Sequence, residues 1–159
     1  MITITPFLWY VDNAQAAIDR YLAVFDTTEL VDAQYGPDGN LFLASIRLQG
    51  LDLMLMNGGP MHRLTDAFSL SVSVETQEEI DRISAALIDG GGSQGPCGWL
   101  VDAFGLSWQI VPTLLPRLFS DPDRAAAGRA QNAMMQMTKL DMVGLQAAFD
   151  GTSNEIGAH

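Results

Sequence analysis

One cysteine, Cys97, is the only thiol in this chain of 159 residues, so no internal disulfide and no cysteine-rich zinc site can form. A reducing compartment fits, and a cytoplasmic location is expected. Histidine is almost as scarce: His62 follows Gly58-Gly59-Pro60-Met61, and His159 is the last residue. Basic residues number 8 against 19 acidic ones, for a net charge of −11. Such a chain repels phosphate backbones and anionic membranes, so no nucleic-acid partner is expected. The charge serves solubility. There is also no uninterrupted apolar run of ~18 residues, the length that spans a bilayer. The opening "MITITPFLWYVDN" has neither a basic start nor a small-residue cleavage site, and it reads as a strand rather than a secretory leader.

What the chain does have is apolar residues, 48% against 17% charged, enough for a sizeable core in a single domain over 1–159. The sequence is also written twice. "FLWYVDNAQAAIDRYLAVF" (7–25) reads as strand, polar break and amphipathic helix, and "SLSVSVETQEEIDRISAALI" (69–88) reads the same way. Both carry Ile-Asp-Arg at the same place in the helix. Ala14, Ala17, Ile18, Tyr21, Leu22 and Phe25 fall on one face of the first helix, as Ile80, Ile83, Leu87 and Ile88 do in the second. Asn13 and Thr76 stand at the N-cap positions.

Each helix is followed by strands and a glycine hairpin. In the first half these are "ELVDAQY", "NLFLASIRLQG" and "LDLMLMN"; in the second, a Gly-rich passage, "CGWLVDAFG" and "LSWQIVP". The expected class is therefore α+β: two βαβββ modules forming a curved mixed sheet around a cavity, with a C-terminal helical tail. The modules take about 1–60 and about 66–115, and the tail about 116–151. Within the tail, 123–149 reads as two short helices, with Asp141 as an N-cap. Its methionines (134, 135, 137 and 142) would pack it on the sheet or on a second subunit. An apolar tail and open-edged modules point to a homodimer.

Strand alternation assigns faces. In 68–74, Phe68, Leu70, Val72 and Val74 face the helix, while Ser69, Ser71 and Ser73 face the other way. A serine face belongs to solvent or to a cavity wall, and the internal repeat favours the wall. Asp102-Ala103-Phe104-Gly105 suits a type I turn with glycine as a left-handed bulge. That register sets Val101 across from Ser107 and Trp99 across from Gln109, with Cys97 opposite Val111. Aligning the first hairpin on Gly50 puts Phe42, Ala44 and Ile46 with Met54 and Met56. Counting back from the first helix gives Pro6 and, by alternation, Leu8 and Tyr10.

The candidate ligand-binding set is thus Trp99, Gln109, Ser69, Ser71, Ser107, Met54, Met56, Phe42, Leu8 and Tyr10. An apolar, aromatic bowl with a few hydroxyls and one amide suits a small organic ligand. Plainer readings stand beside it: ordinary core for the methionines, and a structural tie across the sheet for Gln109. Cys97 has no basic neighbour in sequence and reads as a small hydrophobe. Arg47 reads as half of a surface ion pair.

The stretches "PFLWYVDNAQAAIDRY", "NGGP" (57–60), "GWLVDAFGLSWQIVP" and the tail "SDPD…AMMQMTKLD" resemble the vicinal oxygen chelate superfamily, which includes glyoxalase I and extradiol dioxygenases. Within it the chain is most similar to the PhnB-like branch, labelled 3-demethylubiquinone 3-methyltransferase-like. The resemblance covers nearly the whole chain. It implies the two-module fold, with metal ligands, usually His, Gln or Glu, on the first and last strands of each module. Those positions hold Pro6, Met54, Ser69 and Gln109, and shifting the first-half count adds only Leu53, Leu55 or Met56.

Only Gln109 offers a carbonyl oxygen, where divalent metals want imidazole or carboxylate. No metal and no other cofactor is expected, and Gln109 becomes a neutral hydrogen-bonding group in a pocket. The implied function is metal-independent binding of a small molecule. The competing one is an enzyme, a lyase, isomerase or dioxygenase relative with unidentified acid–base groups. Methyl transfer on a Rossmann-type core would need a Gly-rich strand-to-helix loop, and Gly90-Gly91-Gly92 follows a helix instead.

Overall fold

Two amphipathic helices organise the chain. In the computed structural model, which describes residues 1–152, α1 spans Ala14–Val24 and α2 spans Gln77–Ile88. The apolar stripe of α1 buries Ala14, Ala17, Ile18, Tyr21 and Val24; that of α2 buries Ile80, Ile83 and Leu87. His159 lies outside the described residues. A capping box opens α2: the Thr76 hydroxyl accepts from the Glu79 amide at 3.2 Å, and the Glu79 carboxylate accepts from the Thr76 amide at 3.0 Å. Asn13, expected to cap α1, makes no such bond. Asn57 takes that role from a distant strand. Its Oδ1 accepts from the Ala14 amide at 2.8 Å while its Nδ2 donates to the Leu41 carbonyl at 2.9 Å.

Around α1, β1 (Phe7–Tyr10), β2 (Thr28–Tyr35), β3 (Leu41–Leu48) and β4 (Leu51–Asn57) form a sheet in the order β1-β4-β3-β2. Around α2, β5 (Ser69–Val74), β6 (Ser93–Gln94), β7 (Trp99–Val101) and β8 (Ser107–Pro112) repeat it as β5-β8-β7-β6. In each, the first strand runs parallel to the last and the other pairs are antiparallel. The βαβββ unit is present twice. The strands form two separate four-stranded sheets rather than one.

The tail contains α4 (Arg124–Met134) and α5 (Met142–Asp150), preceded by a short α3 (Leu114–Phe119) that the sequence pattern leaves unassigned. Asp141 caps α5, its carboxylate accepting from the Val143 amide at 3.1 Å. Leu115, Leu118, Ala130, Leu140 and Leu145 form a cluster of their own, against which Met134, Met137 and Val111 of β8 pack. Gln77 holds the loop before α5 through the Leu140 carbonyl and the Met142 amide. The tail therefore docks on its own second module.

The repeated Ile-Asp-Arg finds its reason where the modules meet. Arg20 of α1 donates to the carbonyls of Ala86 and Asp89 at the C-terminal end of α2. Arg82 of α2 donates to the carbonyl of Val24, the last residue of α1, at 3.0 Å. Each arginine satisfies carbonyls that the other helix leaves free, and each cation sits at the negative end of a helix dipole. The helix-covered sides of both sheets merge into one core, in which Trp108 of β8 stacks on Phe25 at 5.5 Å and meets Tyr21 edge-on. The modules thus join back to back, with the other face of each sheet turned outward and that of the second sheet partly covered by the tail at Val111.

Candidate functional site

The β7–β8 hairpin turns through Ala103-Phe104-Gly105, with Gly105 at a φ of 96° and the Asp102 amide on the Leu106 carbonyl at 2.9 Å. A three-residue loop with a left-handed glycine fixes the register. Trp99 stands opposite Gln109, Leu100 opposite Trp108 and Val101 opposite Ser107, as the sequence predicts. Leu100 and Trp108 are buried in the core, while Trp99 and Gln109 sit half-buried on the uncovered side. β5 lies beside β8 with Ser69 next to Ser107 and Ser71 next to Gln109, so these serines share that side. Ser71 and Ser73 are exposed and Ser107 is buried.

Gln109 makes the structural tie that the sequence offers as one of its two readings. Its Nε2 donates to the Ser69 hydroxyl at 2.9 Å, tying β8 to β5. Cys97 does not reach across to Val111 as expected. A φ of 56° turns the chain there, and its amide donates to the Met137 carbonyl of the tail at 2.8 Å.

In the first module the expected faces are displaced by one residue, twice. Leu8 and Tyr10 are each 2% exposed and point into the helix-side core; Phe7 and Trp9, beside Met54 and Met56, occupy the uncovered face. Three residues (11–13) join β1 to α1, against two (75–76) joining β5 to α2. Counting back from the helix therefore lands one residue off, and one residue flips a strand's face. The first hairpin repeats the problem. Leu48 pairs with Leu51 across a two-residue Gln49-Gly50 turn, with φ values of 49° and 86°, as a type I′ turn demands. Met56 and Met54 consequently pair with Leu43 and Ser45, while Ala44 and Ile46 are core. Phe42 sits at a register irregularity against β2 and is half exposed, on neither wall. Pro6 precedes β1, and its carbonyl accepts from the Met54 amide at 3.0 Å.

Trp9 is the large side chain of this face that sequence reasoning missed. Its Nε1 donates to the Gly59 carbonyl at 2.9 Å, and the His62 ring stands edge-on to it at 4.8 Å. A Cβ on Gly58 would collide with the indole, which explains the glycine in "NGGP". That glycine pair beside a strand was the available signal. Arg47, on the same face, is held by Asp52 and Glu29 at 2.8 Å each, an exposed surface network as expected.

The donor chemistry of these faces does not fit a divalent cation. The residues brought level by the register are Phe7 with Met54 and Ser71 with Gln109, next to Ser69. None carries an imidazole or a carboxylate. Among the described residues, no three His, Cys, Asp or Glu side chains converge. A cleft of about 340 Å³ opens beside Trp99, with Ser107 and Val101 in its lining. Another, of about 450 Å³, lies where the modules meet, between Phe25, Leu48, Val72 and Arg82.

Asp102 is a second group whose importance the sequence does not reveal. It is 2% exposed, yet fully partnered. Oδ1 accepts from the amides of Phe104 (2.9 Å) and Leu106 (3.0 Å). Oδ2 accepts from the Tyr21 hydroxyl (2.6 Å) and Trp108 Nε1 (2.9 Å), and the Tyr10 hydroxyl lies 3.1 Å from that of Tyr21. Burial pushes the pKa of both phenols well above the ordinary value, and the nearby Asp102 charge adds to the rise. Both tyrosines are neutral at physiological pH. The network lies on the helix side, away from Gln109, and it locks α1 of one module to the hairpin of the other.

Two βαβββ modules, each with its helix on one face of its sheet, define a glyoxalase-like fold of the vicinal oxygen chelate superfamily. Within it, the chain belongs to the family described as 3-demethylubiquinone-9 3-methyltransferase, whose model matches residues 2–111. A solved structure from Bacillus cereus, described as a putative 3-demethylubiquinone-9 3-methyltransferase, PhnB protein, is 29% identical with a TM-score of 0.63. The match covers 70% of this chain and all of that one. The fosfomycin resistance protein FosX of Listeria monocytogenes, solved as a mutant with Mn(II) and 1S,2S-dihydroxypropylphosphonic acid, shares the fold at 18% identity. Its TM-score is 0.53 over 74% of this chain and 99% of that one. An uncharacterized protein of Mycobacterium bovis is 44% identical over 50 residues, 31% of this chain, and the chain spans about a third (32%) of its length. Among the described residues, no helix is long and apolar enough to cross a membrane.

Proposed function

We propose that this protein binds a small, largely apolar organic molecule against the Trp99–Gln109 face, without a metal ion. The observation that carries the reading is the hairpin register, which sets an indole beside an amide on the sheet face turned away from α2, next to the end that the tail covers at Val111. Apolar walls with a few oriented polar groups are the usual make-up of such sites. One amide hydrogen of Gln109 is committed to Ser69, and its carbonyl oxygen serves a ligand donor. The absence of imidazole and carboxylate at Phe7, Met54, Ser69, Ser71 and Gln109 supports metal independence.

Two expectations follow. Mn(II), Ni(II) or Zn(II) should leave the thermal midpoint unchanged, because a ligand of the native state would raise it. A saturable, stoichiometric rise that Gln109→Ala abolishes would sink the reading. Gln109→Leu keeps the shape and should weaken ligand binding while changing stability by less than ~1 kcal/mol, since the bond to Ser69 is only partly buried.

The uncovered faces also favour a homodimer. β1 and β5 are sheet edges, and Phe7 and Phe68 beside them are exposed, a surface that a second copy would cover. In such a dimer the partner closes each ligand face. Light scattering at micromolar concentration should give twice the chain mass; a monomer would contradict the assembly.

A second reading, an acid–base enzyme, rests on His62, whose ring abuts Trp9 at the edge of the first sheet's uncovered face. His62→Gln separates the two readings: ligand binding survives in both, and turnover is lost only in the second. Methyl transfer, which the family description names, has the least support. The strand-to-helix connections Val11-Asp12-Asn13 and Glu75-Thr76 hold no glycine, and Gly90-Gly91-Gly92 terminates α2.

A further inference from the structure

The cleft beside Trp99 has a chemistry of its own. Asp66, Ser93, Pro96, Trp99 and Ser107 are among the residues that line it. Of its lining residues only Asp66 is charged. Ser107 is 2% exposed and borders the cleft, where it offers a hydroxyl.

We propose that this cleft takes a small organic cation, a protonated amine carried on an apolar or aromatic body. The proposal rests on the reading of the Trp99 face as a ligand site and names the class of ligand. A cation is drawn to the face of an indole by the ring quadrupole. The ammonium hydrogens have two acceptors, the Asp66 carboxylate and the Ser107 hydroxyl. The apolar body lies along Trp99, Val101 and Pro96. A volume of about 340 Å³ is of the size that holds a small drug-like ligand. The net charge of −11 raises the local concentration of cations and lowers that of anions. An anionic ligand would meet Asp66 with no basic side chain to offset it.

Three probes of nearly equal shape test this: 1-naphthylmethylammonium, 1-naphthylmethanol and 1-naphthoate. They are titrated into the full chain while the tryptophan indole N–H signals are followed by NMR. The Trp99 signal is identified as the one missing from Trp99→Phe. The ammonium should move that signal with a Kd about tenfold below the alcohol's, and naphthoate should bind more weakly than either. The preference should shrink with added salt and fall to about twofold in Asp66→Asn, where the ion pair is gone and the indole remains. Asp66 is exposed, so unchanged Trp9 and Trp108 signals in the variant will verify its fold. Equal binding of alcohol and ammonium, or a preference that Asp66→Asn leaves intact, overturns the cation assignment but not the ligand face. If none of the three moves the Trp99 signal, the reading of the face fails with it.

Discussion

Asp102→Ala should destabilise the fold by about 3–5 kcal/mol, because it removes the acceptor of a buried, fully partnered charge site. Four donors lose their partner at once: two hairpin amides, the Tyr21 hydroxyl and Trp108 Nε1. Each orphaned donor in a dry core costs free energy, and water has little room to replace a carboxylate there. The hairpin should suffer with the module junction, since Oδ1 shapes the turn that sets Trp99 opposite Gln109. Asp102→Asn is the graded comparison. Its carbonyl can still serve the two amides, but its NH2 group faces Tyr21 and Trp108. The tyrosine hydroxyl can rotate toward Tyr10; the indole N–H cannot, which leaves a loss of about 1–3 kcal/mol. Urea unfolding, with the m-value checked for constancy, reads both effects.

The same network sets a response to alkali. The pKa values of Tyr10 and Tyr21 are raised in the folded state above their ordinary value. Their contribution is therefore complete below pH ~10, the unfolded tyrosine value, and is lost as pH rises toward the folded values. The unfolded chain releases protons that the folded chain retains, so stability falls by up to about 1.4 kcal/mol per pH unit for each tyrosine above that point. Tyr10→Phe should make the alkaline loss shallower.

The second large effect separates two tryptophans on neighbouring strands. Trp108 is 1% exposed, stacks on Phe25 and donates to Asp102; Trp108→Ala should cost about 3–5 kcal/mol through the cavity it leaves. Trp99 lies on the other face, half-buried and outside the main core. Trp99→Ala should cost no more than ~1 kcal/mol while weakening the ligand. The contrast tests the hairpin register in solution, because a one-residue slip would pair Trp99 with Trp108 and put both on one face. Equal, large destabilisation by both substitutions would place Trp99 in the core and remove the ligand wall.

The second module was legible in the sequence because its signals are local. Strict alternation in 69–74, the capping box at Thr76 and the turn Asp102 to Gly105 each define their own geometry. The first module misled by one residue in two places: a three-residue connection stands where its repeat has two, and Gln49-Gly50 makes a two-residue turn where its repeat uses three. Each offset moved residues to the wrong face, sending Leu8 and Tyr10 to the ligand side on paper and hiding Phe7 and Trp9. Long-range polar contacts left no local trace at all. Asn57 capping α1 and Asp102 receiving Tyr21 become visible only when the chain is folded. The Ile-Asp-Arg repeat was visible, but its meaning was not, since each arginine acts on the other module's helix.

Native mass spectrometry of the freshly purified full chain, in volatile buffer without chelator, tests the metal-free ligand face most directly. The expected spectrum is a dimer carrying a small organic adduct, with no stoichiometric metal, and the adduct disappears in Trp99→Ala while the dimer persists. One transition-metal ion per protomer, retained through buffer exchange and lost in Gln109→Ala, would contradict it.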